Sequence, residues 1–276
     1  MNHLHTRMTF FGISDRGLQR TNNEDHFIVA DLTRKTVAVE ENRVALPLVC
    51  HEMGPKGTLL AVADGLGGYE GGEMASQIAV EATVRALFTV IENDLPLTQQ
   101  LGQAIEEAHQ AICWHRSSDG EHPHMASTLT AVHVGNGTLT VAQIGDSRAY
   151  LFRGGTLTLL TEDQTMVHSM QKRGVLTEAE AKTHPLRHLI LQALGQDSAV
   201  CPAVHTYPFL PDDWILLCTD GLSSYVSPEQ IATILASKAD EPACCRALIN
   251  AANACGGADN VTVLLARLMV SQGQAS

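Results

Sequence analysis

Aspartate recurs in one local setting along this chain: the edge of an apolar, strand-like run, next to glycine or a polar turn. AVAD-GLGG presents Asp64, AQIG-DSR presents Asp146 and LLCT-DG presents Asp220. GGAD-NVTV places Asp259 just ahead of such a run, and NNEDHF does the same for Glu24 and Asp25. A carboxylate at the mouth of a buried strand is costly unless it is solvated, paired or bound to a cation. Few Lys or Arg lie nearby to pair these groups, so the pattern points to hard divalent cations. An all-oxygen donor set favours Mg²⁺, Mn²⁺ or Ca²⁺ over zinc or copper. Any one Asp-Gly after a strand is usually a turn; the repetition is what supports a carboxylate metal centre. In DGLGGYEGG, Gly65, Gly67 and Gly68 let the backbone approach an ion closely, and the Gly65 carbonyl is itself a candidate ligand.

Competing motifs fail on particular residues. A dinucleotide fingerprint needs glycine where Glu70 stands, and Leu66 and Gly68 break the alternating acids of an EF-hand loop. GLSSY around Ser223 is no nucleophile elbow, since Tyr225 replaces the last glycine. HEMGP at His51 lacks the second histidine of a zinc protease. His115, His122 and His124 sit in a polar stretch that reads as a solvated loop rather than a soft-metal cluster.

The elements that must position these carboxylates follow from apolar periodicity. Residues Thr9–Ile13 and Phe27–Ala30 read as short strands around SDRGLQRTNNED, and Thr58–Asp64 as a buried strand. Between them, Asp31–Thr58 reads as an irregular excursion with room for a hairpin. Helical spacing covers Glu73–Ile91 and the run carrying Leu101, Ile105, Ala108 and Ile112. STLTAVHV, GTLTVAQIG, SRAYLFR and GTLTLLT then read as strands, punctuated by GNG and RGG turns. Thr177 and Glu180 form a capping box for a short helix. DWILLCTD is a strand, helices cover about Pro228–Ala236 and Pro242–Ala254, and Asn260–Met269 is the last strand. This order is not βαβ alternation; it predicts an α+β fold, antiparallel sheets with helices segregated onto their outer faces.

Bulk composition bounds the function. At 45% hydrophobic and 17% charged, the chain of 276 residues can bury a sizeable core. No linker or repeat divides it, so one domain spanning 1–276 is expected. A formal charge of −12 argues against nucleic-acid binding, and an acidic enzyme acting on phosphate esters needs a local cation to offset repulsion. Seven cysteines without a CxxC pair suggest free thiols in a reducing compartment. With no signal-peptide pattern and no long apolar span, the expected location is the cytoplasm, away from the membrane.

SDRGLQRTNNEDHF, VADGLGG, IGDSRAYLFR, LCTDGL and GGADNVTV occur in the order and approximate spacing of the motifs of the type 2C (PPM) metal-dependent serine/threonine protein phosphatases. The chain resembles their compact bacterial branch from about Phe10 to Leu268, including a flap-like segment at about 163–195 that begins in LTEDQTMVHSMQKRG; a short tail covers 270–276. The resemblance implies a four-layer α-β-β-α sandwich, a central antiparallel β-sandwich flanked by helix pairs. It implies that Asp64 bridges two metals, with the Gly65 carbonyl on the first and Asp220 and Asp259 on the second. It further implies that Asp146 joins Asp220 at a third, weaker site, that Glu24 and Asp25 act through metal-bound waters, and that Arg20 grips the substrate phosphate.

Two Mn²⁺ or Mg²⁺ ions about 4 Å apart can bridge a water, lower its pKa and deliver hydroxide in line to phosphorus. The implied partners are phosphoserine and phosphothreonine proteins, in opposition to a bacterial Ser/Thr kinase, with the chain working as a monomer. Two departures stand out: Leu66 replaces a histidine of many eukaryotic members, and Ala126 and Ser127 stand in a GTT-type segment. The alternatives are a two-metal hydrolase of nucleotides or small phosphate esters, and a non-catalytic metal-binding regulator. Low basic charge and 4% aromatic content disfavour a nuclease. Keeping all four aspartates together with Arg20 disfavours the regulator.

Overall fold

The computed structural model describes residues 6–37, 49–120, 122–237 and 240–270. Strands β1 (Thr6–Asp15) and β2 (Asp25–Asp31) flank the polar SDRGLQRTNNED stretch. The excursion that follows holds β3 (Thr36–Val37) and β4 (Val49–Glu52), with 38–48 outside the described residues. These two strands do not pair with each other as a hairpin: β3 pairs with β2 and β4 with β1, so they widen two different sheets.

Strand β5 (Thr58–Leu66) runs past Asp64, because Gly65 and Leu66 pair with β6 (Ala126–Ser127). Helix α1 (Tyr69–Val90) starts ahead of Glu73, immediately after Gly68, whose φ of 72° turns the DGLGG loop into the helix. Helix α2 (Leu97–Asp119) ends on Gly120 in the left-handed conformation. It therefore includes His115, Ser117 and Ser118, which belong to a helix and not to a solvated loop with His122 and His124.

Next come β7 (Leu129–Gly135), β8 (Thr138–Ile144), β9 (Arg148–Arg153) and β10 (Thr156–Leu159). The flap-like segment contains α3 (Met166–Lys172), which its short and poorly periodic sequence does not announce, and α4 (Glu178–Thr183), opened by the expected Thr177–Glu180 capping box. Strand β11 (Ala203–Pro208) was equally hidden, since as an edge strand it buries little. The chain continues through β12 (Trp214–Cys218), α5 (Asp220–Ser223), α6 (Pro228–Ser237), α7 (Glu241–Ala254) and β13 (Val261–Val270).

Two antiparallel sheets result, ordered β10-β9-β12-β13-β1-β4 and β11-β8-β7-β5-β2-β3, with β6 attached to β5. Alternation along each strand divides its side chains between two apolar layers. On β2, Phe27 and Val29 join Leu60, Val62, Leu217 and Leu264 between the sheets, whereas Ile28 and Ala30 pack with Leu87, Leu101 and Ile105 beneath α1 and α2. A third layer, including Leu216, Leu248, Val263 and Leu265, lies under α6 and α7. This is the four-layer sandwich. Covering both faces explains why TLLAVAD reads as a continuous apolar run and not as an alternating one.

Leu264 is fully buried between the sheets. Leu264→Ala should cost about 2–5 kcal/mol, seen as a lower urea midpoint at unchanged slope. An unchanged midpoint would show that this layer is not close-packed.

Candidate active site

The gap between the sheets is apolar along most of its length and acidic at one end. In the β2–β5 register Asp25 lies directly opposite Asp64. Asp25 shares strand parity with Phe27 and Val29, and Asp64 with Leu60 and Val62, so both carboxylates project toward the intersheet space. Asp220 enters from the end of β12, as the first residue of α5. Asp146 arrives from the β8–β9 turn, and Asp259 from the approach to β13. Asp25, Asp146, Asp220 and Asp259 all act electrostatically on Asp64, so the structure brings together every aspartate singled out in the sequence.

Such a cluster resists ionisation. Burial first, and then neighbouring carboxylates, push Asp220 up to about 6, Asp25 to about 7 and Asp146 to about 8. Asp64 is raised well above the usual carboxylate range by burial and by all four neighbours, and it lies within hydrogen-bonding reach of Asp220. Among the described residues, the buried oxygens Asp25 Oδ1, Asp146 Oδ1 and Asp220 Oδ1 have no hydrogen-bond partner. Unsatisfied buried carboxylate oxygens aimed into a shared acidic space are the chemistry of a divalent-cation site. Among the described residues, no three Asp, Glu, His or Cys side chains close around one point as they stand. Ions held here would therefore keep several waters, as Mg²⁺ and Mn²⁺ readily do.

Polar residues without charge hold the cluster in place. Thr219 Oγ1 and Thr262 Oγ1 each donate to Asp25 Oδ2 at 2.7 Å, leaving Oδ1 bare. The Asp64 backbone is clamped by Thr128, whose Oγ1 accepts from Asp64 N at 2.9 Å and whose N–H donates to Asp64 O at 2.9 Å. Ser127 Oγ donates to that same carbonyl at 3.1 Å, giving the substituted residue a defined role in positioning Asp64. Gly65 has a reason beyond any ion: a Cβ there would stand 2.0 Å from the Gly72 carbonyl oxygen, so only glycine lets α1 approach β5.

Asn260 fixes the loop that carries the remaining candidates. Its Oδ1 accepts from Glu24 N at 2.8 Å, and its Nδ2 donates to Arg16 O at 2.9 Å and Asn22 O at 2.8 Å. Glu24 itself is buried and turned toward Asn22, which donates to its Oε1 at 3.0 Å. Arg20 pairs with Asp259 at 2.9 Å and not with Glu24 or Asp25, its half-exposed side chain reaching over the acidic cluster. Thr219, Thr262, Thr128 and Asn260 were not singled out in the sequence, although each lies inside or next to a recognised motif. A buried threonine or asparagine within an otherwise apolar run was the available signal.

A protein phosphatase 2C family model matches residues 49–259. The serine/threonine phosphatase stp of Listeria welshimeri is 33% identical over 258 residues, 91% of this chain and 92% of that protein. Among solved structures, the Mycobacterium tuberculosis serine/threonine phosphatase PstP/Ppp superposes with a TM-score of 0.77 at 34% identity, covering 95% of this chain and 99% of that one. The catalytic domain of PstP in complex with two manganese ions gives a TM-score of 0.75 at 32% identity, covering 96% and 99%. The chain belongs to the protein phosphatase 2C family. Dependence on Mn²⁺ or Mg²⁺ goes with that membership. Among the described residues, no helix is long and apolar enough to cross a membrane.

The raised carboxylates make metal-free stability depend on pH with a definite sign. In the unfolded chain these aspartates titrate near ~3.9, so between that value and about 8 the native state holds more protons and stability falls as pH rises. Chelated protein should melt at a lower temperature near ~pH 8 than near ~pH 5.5, and Mn²⁺ should raise the melting temperature more at the higher pH. Calorimetry with chelator and with Mn²⁺ at both values checks this; equal increments would contradict it.

Proposed function

We propose that this chain is a protein serine/threonine phosphatase that hydrolyses phosphoserine and phosphothreonine, working as a single catalytic domain over residues 1–276. The observation that carries this reading is the buried acidic cluster, with its three unpartnered carboxylate oxygens, lying beneath an exposed arginine. The names of relatives at about one-third identity supply the substrate class. Bound Mn²⁺ or Mg²⁺ supplies Lewis acidity, activating water for in-line attack and offsetting charge on the phosphoryl group.

The chain's own residues do the holding. Asp64 would hold the central place, with the Gly65 carbonyl beside it, and Asp220 and Asp259 would hold a second ion. Asp146 and Asp220, each with a bare buried oxygen, suit a third and weaker site. Asp25 and Glu24 orient water, Asp25 being fixed by two threonine hydroxyls that occupy only one of its oxygens. Arg20 rests on Asp259, and its planar fork would be free to take a phosphate if that carboxylate were engaged by a cation. Leu66 is apolar and donates no proton to the leaving group.

The substrates are phosphoproteins, made by a Ser/Thr kinase that this enzyme opposes. Seven unpaired cysteines fit a reducing compartment such as the cytoplasm, and the chain works as a monomer. Phosphate release from a phosphothreonine peptide, with Mn²⁺ and with chelator, tests the reading against its alternatives. Faster turnover of nucleotides than of phosphopeptides, or no turnover with metal bound, would refute it.

Asp64→Asn and Asp220→Asn should each reduce kcat below about a tenth of wild type at saturating Mn²⁺, because each removes a shared ligand. Arg20→Ala should raise the Michaelis constant for a phosphopeptide about tenfold or more, the loss of a charged bidentate contact, while Mn²⁺ affinity measured by calorimetry stays level or rises as Asp259 is freed. A collapse of Mn²⁺ affinity with an unchanged Michaelis constant would assign Arg20 a different job.

A further inference from the structure

A cavity of about 500 Å³ opens between the acidic cluster and the flap-like segment. Asp146 and Asp220 form one wall, α3, α4 and the 187–188 turn form another, and Ser223, Ser224 and Tyr225 form a third. Most charges around it are already matched. Arg148 holds Asp163 with two contacts, Nε to Oδ1 at 2.8 Å and Nη2 to Oδ2 at 2.6 Å. Lys182 pairs with Glu178 at 2.8 Å, and His168 lies 3.4 Å from Glu162. Once cations neutralise Asp146 and Asp220, the unmatched charge left on the lining is Arg187. Its exposed side chain forms no ion pair or hydrogen bond among the described residues, and it lines the cavity beside His188.

Arg187 also lies in the neighbourhood of the arginine assigned to the phosphate. Both Arg20 and Arg187 act electrostatically on Tyr225 and on His188, so the two arginines share these neighbours. A cavity of about 500 Å³ is roughly 8 Å across, the span of two to three residues of extended chain. A phosphoresidue held against the wall formed by Asp146 and Asp220 therefore brings a side chain two or three positions away within range of Arg187 across the cavity. In a chain whose formal charge is −12, an unpaired cation facing the substrate path selects for negative charge at that position.

We infer that Arg187 and the cavity beneath the flap-like segment form a second anion subsite, which favours phosphoprotein segments carrying a carboxylate or another phosphate two or three residues from the one being removed. This rests on the phosphatase reading and adds a substrate preference to it. The group is a specificity determinant that acts on binding, so the preference falls on the Michaelis constant.

The test uses the full chain at saturating Mn²⁺ and three matched phosphothreonine peptides. One has neutral flanks, one carries aspartate at the flanking positions, and one carries a non-hydrolysable phosphonate there. Wild type should show kcat/KM about tenfold higher for the anionic peptides than for the neutral one, the size expected of one charged hydrogen-bonded contact. Arg187→Ala should bring that ratio to about one, and Arg187→Lys should retain part of it, since a point charge lacks the planar fork. A gain shared by both anionic peptides identifies a reader of single negative charge, and a gain confined to the phosphonate identifies a reader of phosphate; either supports the subsite. An equal ratio in wild type and Arg187→Ala, or no preference in wild type, overturns the inference while leaving the phosphatase reading intact. Failure to turn over any of the three peptides overturns both.

Discussion

Two sheets pressed face to face exclude water from the gap between them, and at one end of that gap the apolar side chains give way to Asp25 and Asp64. The constraint that follows is electrostatic. Several carboxylates share a region too dry to screen them, and the mostly buried Arg148, whose charge reaches Asp146 and Asp220, is committed to Asp163 by two hydrogen bonds. Without a counter-ion they resist ionisation, as the raised values of Asp25, Asp146 and Asp220 express. A protein that places its acids this way has stored part of the binding energy of a divalent cation in its own fold. The surrounding threonines and Asn260 keep the acids from relaxing into solvent.

The supporting contacts divide by sheet. Thr128 and Ser127 come from the β6–β7 region and lock the backbone of Asp64 in the seven-stranded sheet. Thr219, just past the end of β12, and Thr262, in β13, come from the opposite sheet's side, yet both bond to Asp25 of the first. The carboxylate of Asp25 is thus a hydrogen-bonded stitch across the gap as well as a member of the site. Asn260 makes a second stitch, tying the 16–24 loop to the start of β13 and so fixing Arg20 over Asp259. Neutral donors suit this task, because a lysine or arginine in their place would compete with the cation for the same oxygens.

Acidity at the centre and overall raises the question of how an anionic substrate approaches at all. Divalent cations held in the cluster would reverse the local sign, leaving the two arginines near it, Arg20 and Arg187, to present positive charge outward. Arg20 is paired with Asp259, while Arg187, on the flap-like segment, has no ion pair among the described residues. The short helices α3 and α4 line the cavity, each opened by a threonine cap, Thr165 and the Thr177–Glu180 box, and each burying one side chain, Val167 and Ala181. Such a segment is suited to discriminating among substrates without disturbing the geometry of the acids beneath it.

Much of this was legible in the amino-acid sequence. Uninterrupted apolar runs ending in aspartate determined the buried strands and the identity of the acids, because both depend on residues adjacent in the chain. The family motifs carried the order of the layers. Tertiary structure decided what depends on proximity across sheets: that Asp25 faces Asp64 in register, that Thr219 and Thr262 bind Asp25, that Arg20 chooses Asp259, and that β3 and β4 join different sheets. Edge strand β11 and helix α3 escaped notice because marginal elements bury too little to impose a period on their sequence. The glycine at 65 could be read from sequence as room for an ion; its packing against Gly72 emerged only when α1 was laid on β5, since a clash between segments brought together by folding leaves no local trace.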